Sequence, residues 1–133
     1  MTAVVADTHV IIWLLFNPKQ LSSKALAALE GAVAAGDPIY VPSISVVEVA
    51  YLTEKGKLPR EVFDRLIREL GRPDSGLVVV PLDLEVALAL QQVLREEVPD
   101  MPDRIIAATA SYMGLPLVTR DMRIRSSAVT TVW

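Results

Sequence analysis

Four acidic residues, Asp7, Glu48, Asp103 and Asp121, fall where the chain is expected to leave a strand or enter a helix. Asp7 follows the apolar run Ala3-Val4-Val5-Ala6, and Asp121 follows Leu117-Val118-Thr119-Arg120. Glu48 lies early in the helix expected after Ile39-Tyr40-Val41-Pro42, and Asp103 opens the helix expected through Ile105, Ile106, Ala107 and Ala108. In an open α/β sheet, the segments just beyond the strand C-termini converge on one crevice. Carboxylates far apart in sequence can meet there. Such a cluster suits a hard divalent cation, Mg²⁺ or Mn²⁺, which favours oxygen ligands.

Each acid also has a plainer account. Asp7 is a natural helix N-cap, although Thr8 could cap equally well. Ser45-Val46-Val47-Glu48 spells a capping box, in which Glu48 would bond back to the helix start. Asp103 suits an N-cap or a first turn, with Asp100 three residues earlier competing for any metal role, and Asp121 suits the start of a turn. The joint placement of all four at strand ends or helix starts is harder to assign to capping alone.

What the chain lacks narrows the chemistry further. No Gly-rich phosphate loop, GxSxG elbow or Cys–His pair is present. His9 is the only histidine, which excludes a multi-His zinc site. Without a nucleophile triad, a metal-activated water is the natural attacking group. Thr119 is placed to hydrogen-bond a neighbouring carboxylate or a metal-bound water, but Thr is also an ordinary strand residue. Arg104, Arg120, Arg123 and Arg125 lie close in sequence to the last two acids, either as bidentate phosphate ligands or as a solvated surface set.

The elements that must position these residues alternate. A short buried strand at residues 4–6 runs at once into a helix from Thr8 to Phe16, stopped by Asn17-Pro18. Ser22-Ser23 caps an Ala-rich helix to about residue 35, ended by Gly36-Asp37-Pro38. A strand at residues 39–41 leads to a helix beginning at Ser43 or Ser45, and Pro59 starts another with Val62, Leu66, Ile67 and Leu70 on one face. Leu77-Val78-Val79-Val80 is the clearest strand, a β-branched run bounded by turn residues. Asp83 caps a helix expected to reach about Val98, Pro99-Asp100-Met101-Pro102 breaks the chain before the Asp103 helix, and Gly114 ends that helix. Residues 117–119 form a further strand and residues 129–132 a last one. Alternating strands and helices with short links imply an α/β fold with a mostly parallel sheet. No internal repeat or linker divides residues 1–133, so one domain is expected.

Composition sets outer bounds. Apolar residues make up 52% of the chain, which suits a sheet covered on both faces. The net charge of −3 gives no global attraction to nucleic acid, so a polyanionic substrate must be held by local cations or a bound metal. No cysteine is present, which removes disulfides and thiolate metal sites. The apolar run from Val10 to Phe16 is too short to cross a bilayer, and no basic segment precedes it; a soluble, cytoplasmic protein with no membrane partner is expected.

With these residues assembled, the chain resembles the PIN-domain ribonucleases of the VapC toxin type. The resemblance rests on Asp7-Thr8-His9 followed by Trp13-Leu14-Leu15, on Ser45-Val46-Val47-Glu48, on Asp103 through Ala110, and on Leu117-Val118-Thr119-Arg120-Asp121. Their order and spacing span nearly the whole length. It implies a three-layer α/β/α fold around a parallel sheet of about five strands and Mg²⁺- or Mn²⁺-dependent endoribonuclease activity on an RNA substrate. By motif matching, Asp7, Glu48, Asp103 and Asp121 take the metal positions, and Thr119 matches a position where the family often has Ser or Thr. It also implies a homodimer and a cognate VapB-like antitoxin. Asp100 is an extra acid that the pattern does not explain. A housekeeping PIN nuclease and a catalytically silent binding module are the alternatives. A haloacid-dehalogenase-like phosphatase ranks well below the nuclease, because it needs a second Asp where His9 stands.

Overall fold

The computed structural model describes residues 2–133. Five strands, β1 (Val4–Ala6), β2 (Ile39–Pro42), β3 (Leu77–Val80), β4 (Leu117–Val118) and β5 (Thr131–Val132), form one sheet in the order β3-β2-β1-β4-β5. Every neighbouring pair is parallel. Parallel strands need crossovers, which the helices α1 (Thr8–Phe16), α2 (Ser23–Ala34), α3 (Ser43–Glu54), α4 (Arg60–Leu70), α5 (Leu84–Ala89), α6 (Met101–Met113) and α7 (Met122–Arg125) supply.

The strand period of two sorts side chains into two cores. Val4, Ala6, Ile39, Val41 and Val118 pack with Val10, Ile11, Leu29, Val49 and Leu66 from the first four helices. Val5 and Leu117 face the other way, onto Ile106, Ala107, Ala108, Ala110 and Ile124. The result is a three-layer α/β/α arrangement. Helix α6 is buried from Ile105 through Ala110, and its alanines let it approach the sheet closely. It ends at Gly114, whose φ of 66° is left-handed and free of Cβ strain only in glycine.

Several boundaries differ from the sequence reading. The helix expected to reach Val98 stops at Ala89, continues as one 3₁₀ turn at Leu90–Gln92, and becomes extended at Val93. Arg104 on α6 explains the stop: its Nε donates to the Val93 carbonyl at 2.8 Å and Nη2 to the Leu90 carbonyl at 3.1 Å. Those carbonyls find a charged donor outside the helix, and buried Val93 and Val98 hold the bent chain in the core. Helix α6 begins two residues before Asp103, with Asp100 as its N-cap. The capping box at Ser45 does not form, because α3 already starts at Ser43 and its cap position is Pro42. The run that reads most clearly as a strand, β3, sits at the sheet edge with Val78 43% and Val79 40% exposed. Coverage of the sheet thins there.

Candidate active site

Chain order reverses between β1 and β4, since β1 pairs with β2 on one side and with β4 on the other. In open α/β sheets the ligand crevice lies beyond the carboxyl ends of such a strand pair. Asp7 leaves β1 and Thr119, Arg120 and Asp121 leave β4 at that end. Asp7 caps α1, its Oδ1 accepting from the Thr8 N–H at 2.7 Å. Its Oδ2 accepts from Thr119 Oγ1 at 2.6 Å, a bond joining positions 112 residues apart. Thr119 Oγ1 in turn accepts the Asp121 N–H at 3.0 Å, and Asp121 Oδ1 caps α7 by accepting from Arg123 and Ile124 N–H at 2.8 and 3.3 Å. Thr119 is fully buried, and its hydroxyl sets the positions of two carboxylates.

Glu48 reaches the same place from α3. Thr8 Oγ1 lies 2.6 Å from Glu48 Oε1 and 2.9 Å from Ser45 Oγ. A hydroxyl has one proton, so Thr8 donates to the carboxylate and accepts the proton of buried Ser45. Ser45 and Glu48 therefore do act together, through Thr8 rather than through their own helix end. Thr8 and Ser45 are the site residues that sequence reasoning passed over. The signal was a hydroxyl directly after Asp7 and another one helical turn before Glu48.

Asp7, Glu48, Asp100, Asp103 and Asp121 line one cleft of about 410 Å³ with Thr8, His9, Val10, Trp13 and Arg120. Burial and the neighbouring charges of Asp100, Asp7 and Asp121 push the Asp103 carboxyl up to about 8. Burial also raises Glu48, against the pull of the Thr8 hydroxyl and with the added push of Asp7 and Asp100. Asp7 is raised by burial too, although the Thr119 hydroxyl, the Thr8 N–H and His9 draw it down. None of the five carboxylates forms an ion pair among the described residues. Asp100, left unplaced by the sequence, caps α6 by accepting from the Asp103 N–H at 3.1 Å and faces the cleft as well.

Of the four arginines near the last acids, Arg120 alone lines the cleft. Arg104 is spent on the carbonyls of Leu90 and Val93, and Arg123 and Arg125 are exposed on α7. The donor set is all oxygen and strongly anionic, which fits a hard divalent cation. No three acidic or histidine side chains among the described residues converge as a closed ion cage.

Residues 4–129 match the PIN domain. The chain belongs to the PIN-domain family. Over its full length it is 33% identical to Ribonuclease VapC22 of Mycobacterium tuberculosis, covering 100% of both proteins. Its fold is similar to the crystal structure of VapBC2 from Rickettsia felis bound to a DNA fragment from their promoter, with a TM-score of 0.72 at 18% identity over 97% of this chain and 96% of that one. It is also similar to FitAcB from Neisseria gonorrhoeae, with a TM-score of 0.66 at 24% identity over 96% and 95% of the two chains. A toxin-antitoxin complex from Klebsiella pneumoniae gives 0.63 at 23% identity over 98% and 96%. This PIN domain thus carries its acids on a fold shared with all three structures. Among the described residues no helix is long and apolar enough to cross a membrane.

Proposed function

We propose that residues 1–133 act as one catalytic domain, an Mg²⁺- or Mn²⁺-dependent endoribonuclease that is the toxin of a toxin–antitoxin pair in the cytoplasm. The observation that carries this reading is the gathering of five carboxylates, without a paired cation, in one cleft at the switch point of the sheet. A 33% identical ribonuclease spanning the same length supports RNA as the substrate.

In this reading Asp7, Glu48, Asp103 and Asp121 hold the metal, which when bound supplies an activated water and neutralises charge that builds on the phosphate. Thr119 keeps the Asp7 carboxylate oriented, and Thr8 does the same for Glu48. Both hydroxyls also favour the ionised, ligating form of the acid they touch. Asp103, pushed up to about 8, keeps a proton at neutral pH that a cation would have to displace in order to bind there.

A VapB-like antitoxin is the cognate partner in this reading, and a second copy of the chain a further one. Helix α3 presents Val47 and Tyr51, each 59% exposed and one turn apart, and α4 presents Ile67, 43% exposed. The decisive experiment is cleavage of RNA by the purified, partner-free protein. Strand scission that requires added Mg²⁺ or Mn²⁺ is expected. Scission that persists in excess EDTA, with contaminating nuclease excluded, refutes the reading. Co-purification with the product of the adjacent reading frame tests the toxin assignment.

A further inference from the structure

A cleft lined by five carboxylates repels the phosphates of any RNA that approaches it, and the chain's net charge of −3 does not help. A metal at the acids would neutralise the reacting phosphate. It leaves unexplained how the neighbouring part of an anionic strand is held. Arg120 is the guanidinium in that lining. Its side chain makes no ion pair among the described residues, although Asp121 is its immediate neighbour in sequence. What holds it is an aromatic face: the guanidinium carbon lies 4.7 Å from the centre of the Trp13 ring. Stacking fixes the plane of a guanidinium while leaving its edge N–H donors unspent.

The plate beneath it is itself held. Trp13 is half-buried, with the His9 ring 5.7 Å away on one turn of α1 and the Trp133 ring 6.0 Å away beyond β5. An exposed arginine on a flexible stem would lose rotamer freedom on binding phosphate, whereas one already stacked on a braced ring loses less. We infer that Arg120, held on the Trp13 face, is the phosphate anchor for single-stranded RNA beside the carboxylate cleft. The inference rests on the nuclease reading for its substrate. Trp13 is a positioning residue in it, acting through Arg120.

The test measures binding apart from cleavage. A short fluorescein-labelled single-stranded oligoribonucleotide, protected from cutting by 2′-O-methyl and phosphorothioate groups, is titrated by anisotropy in Mn²⁺ at several salt concentrations. Arg120→Gln is expected to weaken binding about tenfold, the loss of one charge-assisted phosphate bond. It is also expected to reduce the slope of log K against log salt by ~0.7, the value for one phosphate contact on a single strand. Arg120→Lys restores the slope but not the full affinity, because the charge returns without the stacked fork. Trp13→Leu weakens binding with the slope unchanged. Calorimetric Mn²⁺ affinity stays within twofold of wild type in every variant.

An unchanged salt slope in Arg120→Gln overturns the inference, as does absence of oligonucleotide binding by the wild type. A collapse of Mn²⁺ affinity in Arg120→Gln overturns it as well, since Arg120 would then act through the carboxylates. Arg120-dependent binding without any RNA cleavage by the wild type would instead count against the nuclease reading alone.

Discussion

Replacing Thr119 by Val tests whether one buried hydroxyl organises the acidic cleft. Val has the same shape, and Thr119 is 0% exposed, so packing is conserved and only polar contacts are lost. Two bonds disappear: Oγ1 to Asp7 Oδ2 at 2.6 Å and the Asp121 N–H to Oγ1 at 3.0 Å. A hydrogen bond to an ionised group contributes about 1.5–3 kcal/mol, and an amide left without its acceptor costs about 1 kcal/mol more. The metal-free variant should therefore be less stable by about 2.5–4 kcal/mol at neutral pH. The loss must depend on pH, with a definite sign. Asp7 already stands above its ordinary 3.8 because burial outweighs the Thr119 hydroxyl, so removing that hydroxyl raises it further. A carboxyl raised in the folded state keeps a proton that the unfolded chain has given up. Stability is then full below the unfolded value of about 4 and falls as pH rises through the folded value. The deficit of the variant should thus be smallest near pH 4 and grow toward pH 8. Urea unfolding in EDTA across that range, with m-values compared, measures it. A deficit under about 0.5 kcal/mol, the usual scatter of neutral substitutions, or one independent of pH, refutes the reasoning.

Asp103→Asn should leave the metal-free protein no less stable and abolish the rise in melting temperature that Mn²⁺ gives the wild type; equal metal shifts in both would remove Asp103 from the site and make Asp100 the next residue to test. With Asp103 pushed up to about 8, wild-type stability in EDTA should decline as pH rises from about 4 toward that value, and the decline should flatten in the Asn variant. Because ligating carboxylates must shed protons, Mn²⁺ should stabilise the wild type more at pH 8 than at pH 5, and calorimetry in two buffers of different ionisation enthalpy should show proton release. Arg104→Met should cost about 2 kcal/mol by stranding the carbonyls of Leu90 and Val93, yet leave Mn²⁺ affinity unchanged. A change in Mn²⁺ affinity there would place Arg104 in the site after all.

The linear chain was sufficient to specify where strands and helices alternate and where the acids stand on them. Both are local properties. Val4-Val5-Ala6 and Leu77 through Val80 carry their strand signal in their own side chains, and Asp7, Asp103 and Asp121 stand at strand ends or in first turns because those positions favour short acidic side chains. Even the wider fold was legible from the alternation, since parallel strands with helical links leave few topologies. The partners of each acid were not legible. Thr119 meets Asp7 only because β4 pairs with β1, a choice of strand order that nothing within either strand encodes. Glu48 reads locally as half of a capping box, yet the helix starts at Ser43 and packing turns Glu48 toward Thr8, 40 residues away. The stop of α5 at Ala89 depends on Arg104 arriving from α6, so no window of sequence around residue 90 could reveal it. Four arginines near the last acids looked alike in the chain. Only the folded backbone decided that one would face the carboxylates from the surface of Trp13 while another was consumed in holding a loop, because side-chain direction is set by where each element packs.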